Sequence, residues 1–276
     1  MILVTGATGS IGKHVVAGLL ARGLPVRAMT REPAAARIVP GAEVVRGDLA
    51  EPETLPLRGI EAVYLMAMGD APVEVVERFE RARVRRVVLL STSDVLDGVA
   101  VQPDEVAVRH HRFEAAIAAS GLEWTFLRPN ELAGNALHWA PQIAAGDVVH
   151  APFPLACTVP IHERDVAEVA VRALADDGHR GAKYALTGPA AITHAEQLRL
   201  IGAALGRSLA FAEISAEQAR AQMTRYAPAP IVDAVLGQLA AAATRPHVPT
   251  GAVEQVIGRP PRGFADWAVE HAADFG

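Results

Sequence analysis

A chain of 276 residues is longer than one minimal domain and shorter than two large ones, which predicts one large unit with a smaller appended lobe. The hydrophobic fraction of 51%, with aromatics at only 5%, comes mainly from Ala, Val and Leu and predicts helices packed on a sheet, not a disordered chain. A formal net charge of -5 gives no reason to expect nucleic acid, and a single cysteine, Cys157, rules out an intramolecular disulfide and favours a reducing compartment.

Taken in chain order, short apolar runs fall at residues 2–4, 26–29, 44–45, 62–66, 87–90 and 124–127, most of them separated by segments long enough for a crossover helix. Their apolarity is continuous, as expected of strands covered on both faces in a parallel sheet between helices. The basic run Arg81, Arg83, Arg85 and Arg86 reads as the solvated end of a helix that leads into a buried strand. Beyond residue 150 the pattern predicts helices at 165–174, 195–205, 216–225 and 231–243, with few strands between them. Proline-rich breaks at 227–230, 245–250 and 258–263 read as turns between helices. The expected division is therefore 1–150 for the sheet domain and 151–276 for a smaller lobe, with the 165–174 helix packing back on the first. No apolar run is long enough to span a bilayer and no basic leader precedes the first strand, so a cytoplasmic monomer or homodimer without membrane contact is expected.

Residues 5–12 read TGATGSIG, directly after the first strand and before the first helix. Gly6 permits a tight turn, Gly9 lets the main chain approach a pyrophosphate, and Gly12 allows helix and strand to pack closely. The amides of Thr8, Ser10 and Ile11 stand at the helix mouth, where free N–H groups hold an anion. Context makes this α/β fold a Rossmann-type, doubly wound parallel sheet that binds a dinucleotide. A P-loop is disfavoured, because the GxxxxGK[ST] pattern needs glycine where Ala7 stands and a hydroxyl where His14 stands. At the end of the second strand Arg31 favours a 2′-phosphate, hence NADP(H). Glu32 beside it keeps NAD(H) as the alternative. Asp48 and Leu49, after the third strand, are placed to meet the adenine edge, and Asp48 also reads as a helix-start signal ahead of residues 51–55.

The chain resembles the NmrA-like group of atypical short-chain dehydrogenases, a group that includes NADP-dependent quinone reductases and redox sensors without turnover. The resemblance rests on TGATGSIG at 5–12, VRAMTR at 26–31, GDL at 47–49, VVLLSTS at 87–93, SGLEWTFLRPNELAGN at 120–135 and PIHERDVAEVA at 160–170. It implies further cofactor contacts from Met66, Ala67 and Met68, from Ser91 and Thr92, and from Pro129, Asn130 and Glu131. Met66 and Met68 also suit core filling, and residues 91–93 suit a capped turn.

One departure from the wider dehydrogenase pattern is plain. The tyrosines are Tyr64, Tyr184 and Tyr226 and the lysines Lys13 and Lys183, so no Tyr-x-x-x-Lys pair exists to donate a proton and hold the nicotinamide ribose. Val106 and His110 occupy the expected helix positions, and His110 is a candidate for the ribose contact. The candidates for proton work are His110, His111 and Asp94, with His138 and His162 farther along; the HHRFE run also fits one exposed turn. No metal site is expected, since neither His110-His111 nor His162-Glu163 has metal-ligand spacing. Trp139, Ala140, Pro141, Ile143, Phe153, Pro154 and Leu155 follow the cofactor strands and suit either a pocket for a small hydrophobic aromatic substrate or a seam between lobes. The leading expectation is an NAD(P)H-dependent oxidoreductase acting on a quinone-like or polycyclic aromatic, polyketide-type substrate. A non-catalytic NADP(H) sensor, and an aromatic polyketide monooxygenase or isomerase on the same fold, are the alternatives.

Overall fold

The computed structural model describes residues 1–276. Strand β1 (Ile2–Val4) turns through residues 5–11 into α1 (Gly12–Ala21), followed by β2 (Val26–Thr30), β3 (Glu43–Arg46), β4 (Ala62–Met66), α2 (Pro72–Arg81), β5 (Arg86–Leu90), α3 (Glu105–Ala118) and β6 (Glu123–Pro129). All six apolar runs read from the sequence are strands. Helix α3 starts where the Asp104 carboxylate accepts from the Ala107 amide at 2.9 Å, satisfying one of the donors a helix start leaves free. Asp48, by contrast, precedes only a short 3-10 turn at Pro52–Thr54, not a helix over 51–55.

The remainder contributes β7 (Glu131–Leu132), α4 (Ala140–Ala145), β8 (Val148–Ala151), β9 (Cys157–Thr158), β10 (Pro160–Ile161) and α5 (Glu163–Ala175). It continues through β11 (Ala182–Leu186), β12 (Ile192–Thr193), α6 (His194–Leu205), β13 (Ala210–Glu213), α7 (Ala216–Met223), α8 (Ala229–Thr244), α9 (Ala252–Ile257) and α10 (Phe264–Glu270). The expectation of few strands after residue 150 is corrected here. Strand β11 pairs with β6 over five residues, from Ala182 opposite Thr125 to Leu186 opposite Pro129, and completes the main sheet. As an edge strand it carries Lys183 and Tyr184 instead of a continuous apolar run, so its sequence lacks the mark of the central strands.

The sheet is parallel, in the order β11-β6-β5-β4-β1-β2-β3, and the direction of winding reverses between β1 and β4. Successive strand residues feed opposite cores: Ile2 and Val4 meet Val15, Val16, Val166 and Val169, from α1 and α5, whereas Leu3 and Val63 meet Phe79 and Phe113, from α2 and α3. Helix α5 and β11 thus lie in the layers of the sheet domain although they follow residue 150, while residues 133–151 join α6 and α10 in a separate core around Trp139 and Trp267. A last small cluster pairs α7 with α8 through Ala219, Val232 and Leu236. No helix is long and apolar enough to cross a membrane.

Candidate functional site

The glycine turn sits at the β1–β4 reversal, where the carboxyl ends of parallel strands open a crevice. Thr5 fixes that junction: its buried hydroxyl donates to the Tyr64 carbonyl at 3.0 Å and accepts from the Met66 amide at 2.9 Å. Gly6 adopts φ +59°, a left-handed conformation open to glycine, and a Cβ on Gly12 would overlap the Gly6 carbonyl. The Gly9 amide is spent on the Gly6 carbonyl at 2.9 Å, but the amides of Thr8, Ser10, Ile11 and Gly12 donate to no protein acceptor, although Ile11 and Gly12 are buried. No acidic side chain occupies the first turn of α1. Unpaired amides at a helix mouth without a local carboxylate form a cradle that fits a pyrophosphate.

A cleft of about 610 Å³ runs from this turn across the ends of β1, β2, β3 and β4. Gly6, Thr8, Gly9, Arg31, Asp48, Leu49, Met66 and Met68 line it, as do Thr30, Glu32 and Arg37. Ser10, Ile11, Gly12 and Ala67 are not in the lining; Ile11 and Ala67 are buried, and Ser10 is exposed. Met66 covers Gly6, combining the core and cleft roles that the sequence left open. Arg37, from the segment after the 3-10 turn Pro33–Ala35, was not anticipated, because nothing in a loop arginine beyond the second strand marks it as facing the same cleft.

Farther along the same strand edge, at the ends of β5 and β6, side chains replace main chain. The Thr92 hydroxyl donates to the Asp94 carboxylate at 2.6 Å, yet burial pushes the Asp94 pKa above its usual value. His110 donates from Nδ1 to the Val106 carbonyl at 2.8 Å, one helical turn back, which leaves Nε2 as its acceptor; burial lowers its pKa, against that hydrogen bond. Asp94 lies close enough to His247 and His110 for both to favour its charge, and its charge in turn favours that of His110. Asn130 joins them: its Nδ2 lies 2.9 Å from His247 Nδ1 and 3.3 Å from Ser93 Oγ, and its Oδ1 accepts from the Val159 amide at 3.1 Å.

His247 was missed from the sequence. It lies in residues 245–250, expected to be a turn between helices, and the structure corrects this: the segment runs back over the strand ends, with the His247 amide donating to the Cys157 carbonyl at 3.3 Å and Thr250 N–H to Thr187 Oγ1 at 2.8 Å. Prolines at 246 and 249 were the signal available, and they mark an extended path as well as they mark a turn.

Next to this group runs a charged network that is buried at Ser91, Glu114 and Arg128 and reaches the surface at Asp97 and Lys183. Ser91 donates to Glu114 at 2.6 Å, Arg128 donates to Glu114 and, through both terminal nitrogens, to Asp97 at 3.0 Å, and Lys183 also donates to Asp97. Those hydrogen bonds, first from Arg128 and then from Lys183, hold the Asp97 carboxyl at a pKa of about 2. Burial works against the Arg128 charge, but its bonds to Glu114 and Asp97 outweigh that and raise its pKa. The Ser91 hydroxyl is therefore committed to the scaffold. So is the Glu131 carboxylate, which takes hydrogen bonds from Thr158 and Gln197 and faces His194 Nε2 at 3.5 Å; burial opposes its charge, and these partners hold its pKa down. Buried Pro129 contributes its carbonyl to the Ser93 amide at 3.0 Å. His111 faces a different place, a groove between α2 and α3. Trp139 and Ile143 are fully buried in the second core and Phe153 packs against α7 and α8, which makes them the seam between elements; Leu155 stays exposed.

Such a sheet, with its glycine turn and open strand edge, defines a dinucleotide-dependent Rossmann protein. Residues 6–177 match the NAD(P)H-binding family model, and the chain belongs to that family. It is 40% identical over 287 residues to the (4-alkanoyl-5-oxo-2,5-dihydrofuran-3-yl)methyl phosphate reductase of Streptomyces griseus, covering 100% of this chain and 99% of that protein. It is 34% identical to the NAD(P)H azoreductase of Xenophilus azovorans, with coverage of 100% and 99%. The fold also matches the crystal structure of the NADPH-dependent quinone oxidoreductase of Escherichia coli, with a TM-score of 0.81 and 24% identity over 98% of this chain and 99% of that one. The protein is an NAD(P)H-dependent oxidoreductase, in line with the NmrA-like resemblance.

Proposed function

We propose that this enzyme reduces electron-poor conjugated acceptors, quinone-like or aromatic, and that it favours NADPH. One observation carries the substrate class: no tyrosine hydroxyl is available at the strand edge. Tyr64 is buried in the core, Tyr184 lies 2.8 Å from His179 through its hydroxyl, and Tyr226 is 90% exposed between α7 and α8. Reduction of an isolated ketone builds negative charge on one alkoxide oxygen and calls for a strong proton donor. A quinone or a conjugated enone delocalises that charge, so weaker donors suffice. The names of the relatives share this chemistry, since an azo group and a dihydrofuranone bearing ring and acyl carbonyls are both conjugated acceptors.

NADPH, when bound, supplies the hydride. The chain's own residues would bind and orient it: the free amides of residues 8 and 10–12 would hold the pyrophosphate, and Arg31 and Arg37 would supply charge-assisted hydrogen bonds to a 2′-phosphate. At the far end, Asp94 and His110 are the titratable groups; burial raises the Asp94 pKa and lowers that of His110. Glu131 and Ser91 hold the strand ends in place.

Steady-state NADPH oxidation tests the reading. Turnover is expected with 1,4-naphthoquinone, an acylated butenolide or an azo dye, and none with cyclohexanone; a preference for the simple ketone would overturn it. Arg31→Ala and Arg37→Ala should each raise the NADPH Kd by about tenfold and leave that for NADH unchanged, as the loss of one charged hydrogen bond predicts.

A further inference from the structure

The contact between Asn130 and His247 fixes more than a position. Asn130 Oδ1 accepts from the Val159 main-chain amide, which can only donate, so the side-chain amide has one orientation and Nδ2 is the atom that faces His247. Nδ2 can only donate in turn. His247 Nδ1 therefore accepts, and the neutral ring carries its proton on Nε2. Asn130 is held independently of this contact, since its own amide donates to the Leu186 carbonyl at 2.9 Å, across to β11. The His247 segment is held as well, through Cys157, Thr187 and Ala185. A backbone N–H in one segment thus sets the tautomer of a histidine 88 residues away in sequence.

The position of that Nε2–H gives it a use. The strand ends step from the Gly6 turn on β1 to β4, β5 and β6, a span of about 14 Å at the usual strand spacing. Asn130 follows β6 directly, so His247 stands at the end of the edge away from Arg31 and Arg37, on the side where the reacting half of an extended dinucleotide would lie. Val248, beside it, is 77% exposed and adds an apolar face. A preset N–H donor beside apolar surface suits the oxygen of a flat conjugated acceptor.

We propose that His247 is an electrophilic residue of this site, donating from Nε2 to the acceptor oxygen on which charge collects, with Asn130 as the positioning residue that fixes its tautomer. This rests on the reductase reading given above. In the step, hydride from NADPH forms a new bond to carbon at the far end of the conjugated system, the π pair moves onto oxygen, and that oxyanion is held by the His247 hydrogen bond until it takes a proton from water. The nicotinamide is oxidised and the acceptor reduced by two electrons. A neutral imidazole stabilises the oxyanion as a fixed donor and does not itself need to be an acid.

The test uses the full-length protein and two readouts. In ¹⁵N spectra of the ring nitrogens, His247 should show an unprotonated Nδ1 and a protonated Nε2, and Asn130→Asp, which removes the donor, should shift the pair toward a protonated Nδ1. A protonated Nδ1 in the wild type overturns the assignment whatever the kinetics. With NADPH and 1,4-naphthoquinone, His247→Ala should lower kcat by about 100-fold, as expected for loss of one oxyanion donor, with NADPH affinity by fluorescence titration unchanged. His247→Gln, which can accept through Oε1 and donate through Nε2, should recover part of that loss and serves if the alanine variant folds poorly. A fall smaller than about tenfold in a wild type that does turn over removes His247 alone, whereas a wild type that binds NADPH yet reduces no acceptor removes the reductase reading and this inference with it.

Discussion

The two halves of the strand edge are built by opposite means. Near the Gly6 turn the working groups are main-chain amides from one run of eight residues, and Arg31, Arg37, Glu32 and Asp48 add side-chain charge around the cleft. Near Asn130 they are side chains from residues 92–94, 110, 130 and 247, brought together by two strand ends, helix α3 and a returning C-terminal segment. A contiguous cradle asks little of the rest of the protein beyond a strand and a helix in sequence. A dispersed site asks for a rigid support, and the network of Ser91, Glu114, Arg128, Asp97 and Lys183 lies where that support is needed.

If this contrast holds, damage to the support should act on stability and damage to the cradle on binding. The largest effect is expected at Glu114, which is 4% exposed: Glu114→Ala leaves the Arg128 guanidinium with an unmatched buried face and should cost about 3–5 kcal/mol in urea unfolding. A loss below about 1 kcal/mol would show that the network is incidental to the far half. The next effect belongs to the cradle. A Cβ at Gly9 would stand 3.2 Å from the Gly6 carbonyl oxygen, a tight contact short of overlap, so Gly9→Val should still fold, with a moderately lowered thermal midpoint. It should nonetheless raise the NADPH Kd by about 100-fold, or about 2.7 kcal/mol, because the side chain stands where the pyrophosphate approaches. Unfolding of this variant, with binding retained by whatever folds, would erase the distinction.

The smallest effect sharpens the comparison from the acid side. Burial, with Lys13 and Arg164 adding repulsion, lowers the His14 pKa from 6.5 to about 4 in the first turn of α1. As pH falls, the unfolded chain takes up this proton first, so stability is complete above about 6.5 and is lost progressively toward about 4. His14→Asn should remove that loss, worth about 1 kcal/mol once solvent screening of a partly exposed ring is counted, and the slope of Tm against pH across that window measures it.

How much of this was legible follows the same division. The glycine turn, the six strands from β1 to β6, Arg31 and Met66 could be read because each depends on neighbours in sequence. Asp94 and His110 are candidates from chemistry and position that lie near one another, while His111, one residue on, faces another groove because a helix turns about 100° per residue. For Trp139 and Ile143 the sequence left pocket and seam open, because apolarity is shared by pockets and cores alike. Strand β11 lacked a continuous apolar run, and Arg37 and His247 lie in loops whose direction is set by tertiary hydrogen bonds that leave no periodic trace.

Pairing of β11 with β6 has a further consequence during synthesis. The ribosome releases β1 through β6 in order, and each can find its partner as it emerges, but the outer rim of β6 stays unmatched until more than fifty further residues have been made. In that interval a nascent chain carries an open template for strand addition, the kind of surface that invites self-association. Ageing of stalled or truncated products should therefore concentrate its losses in species that end between residues 130 and 182.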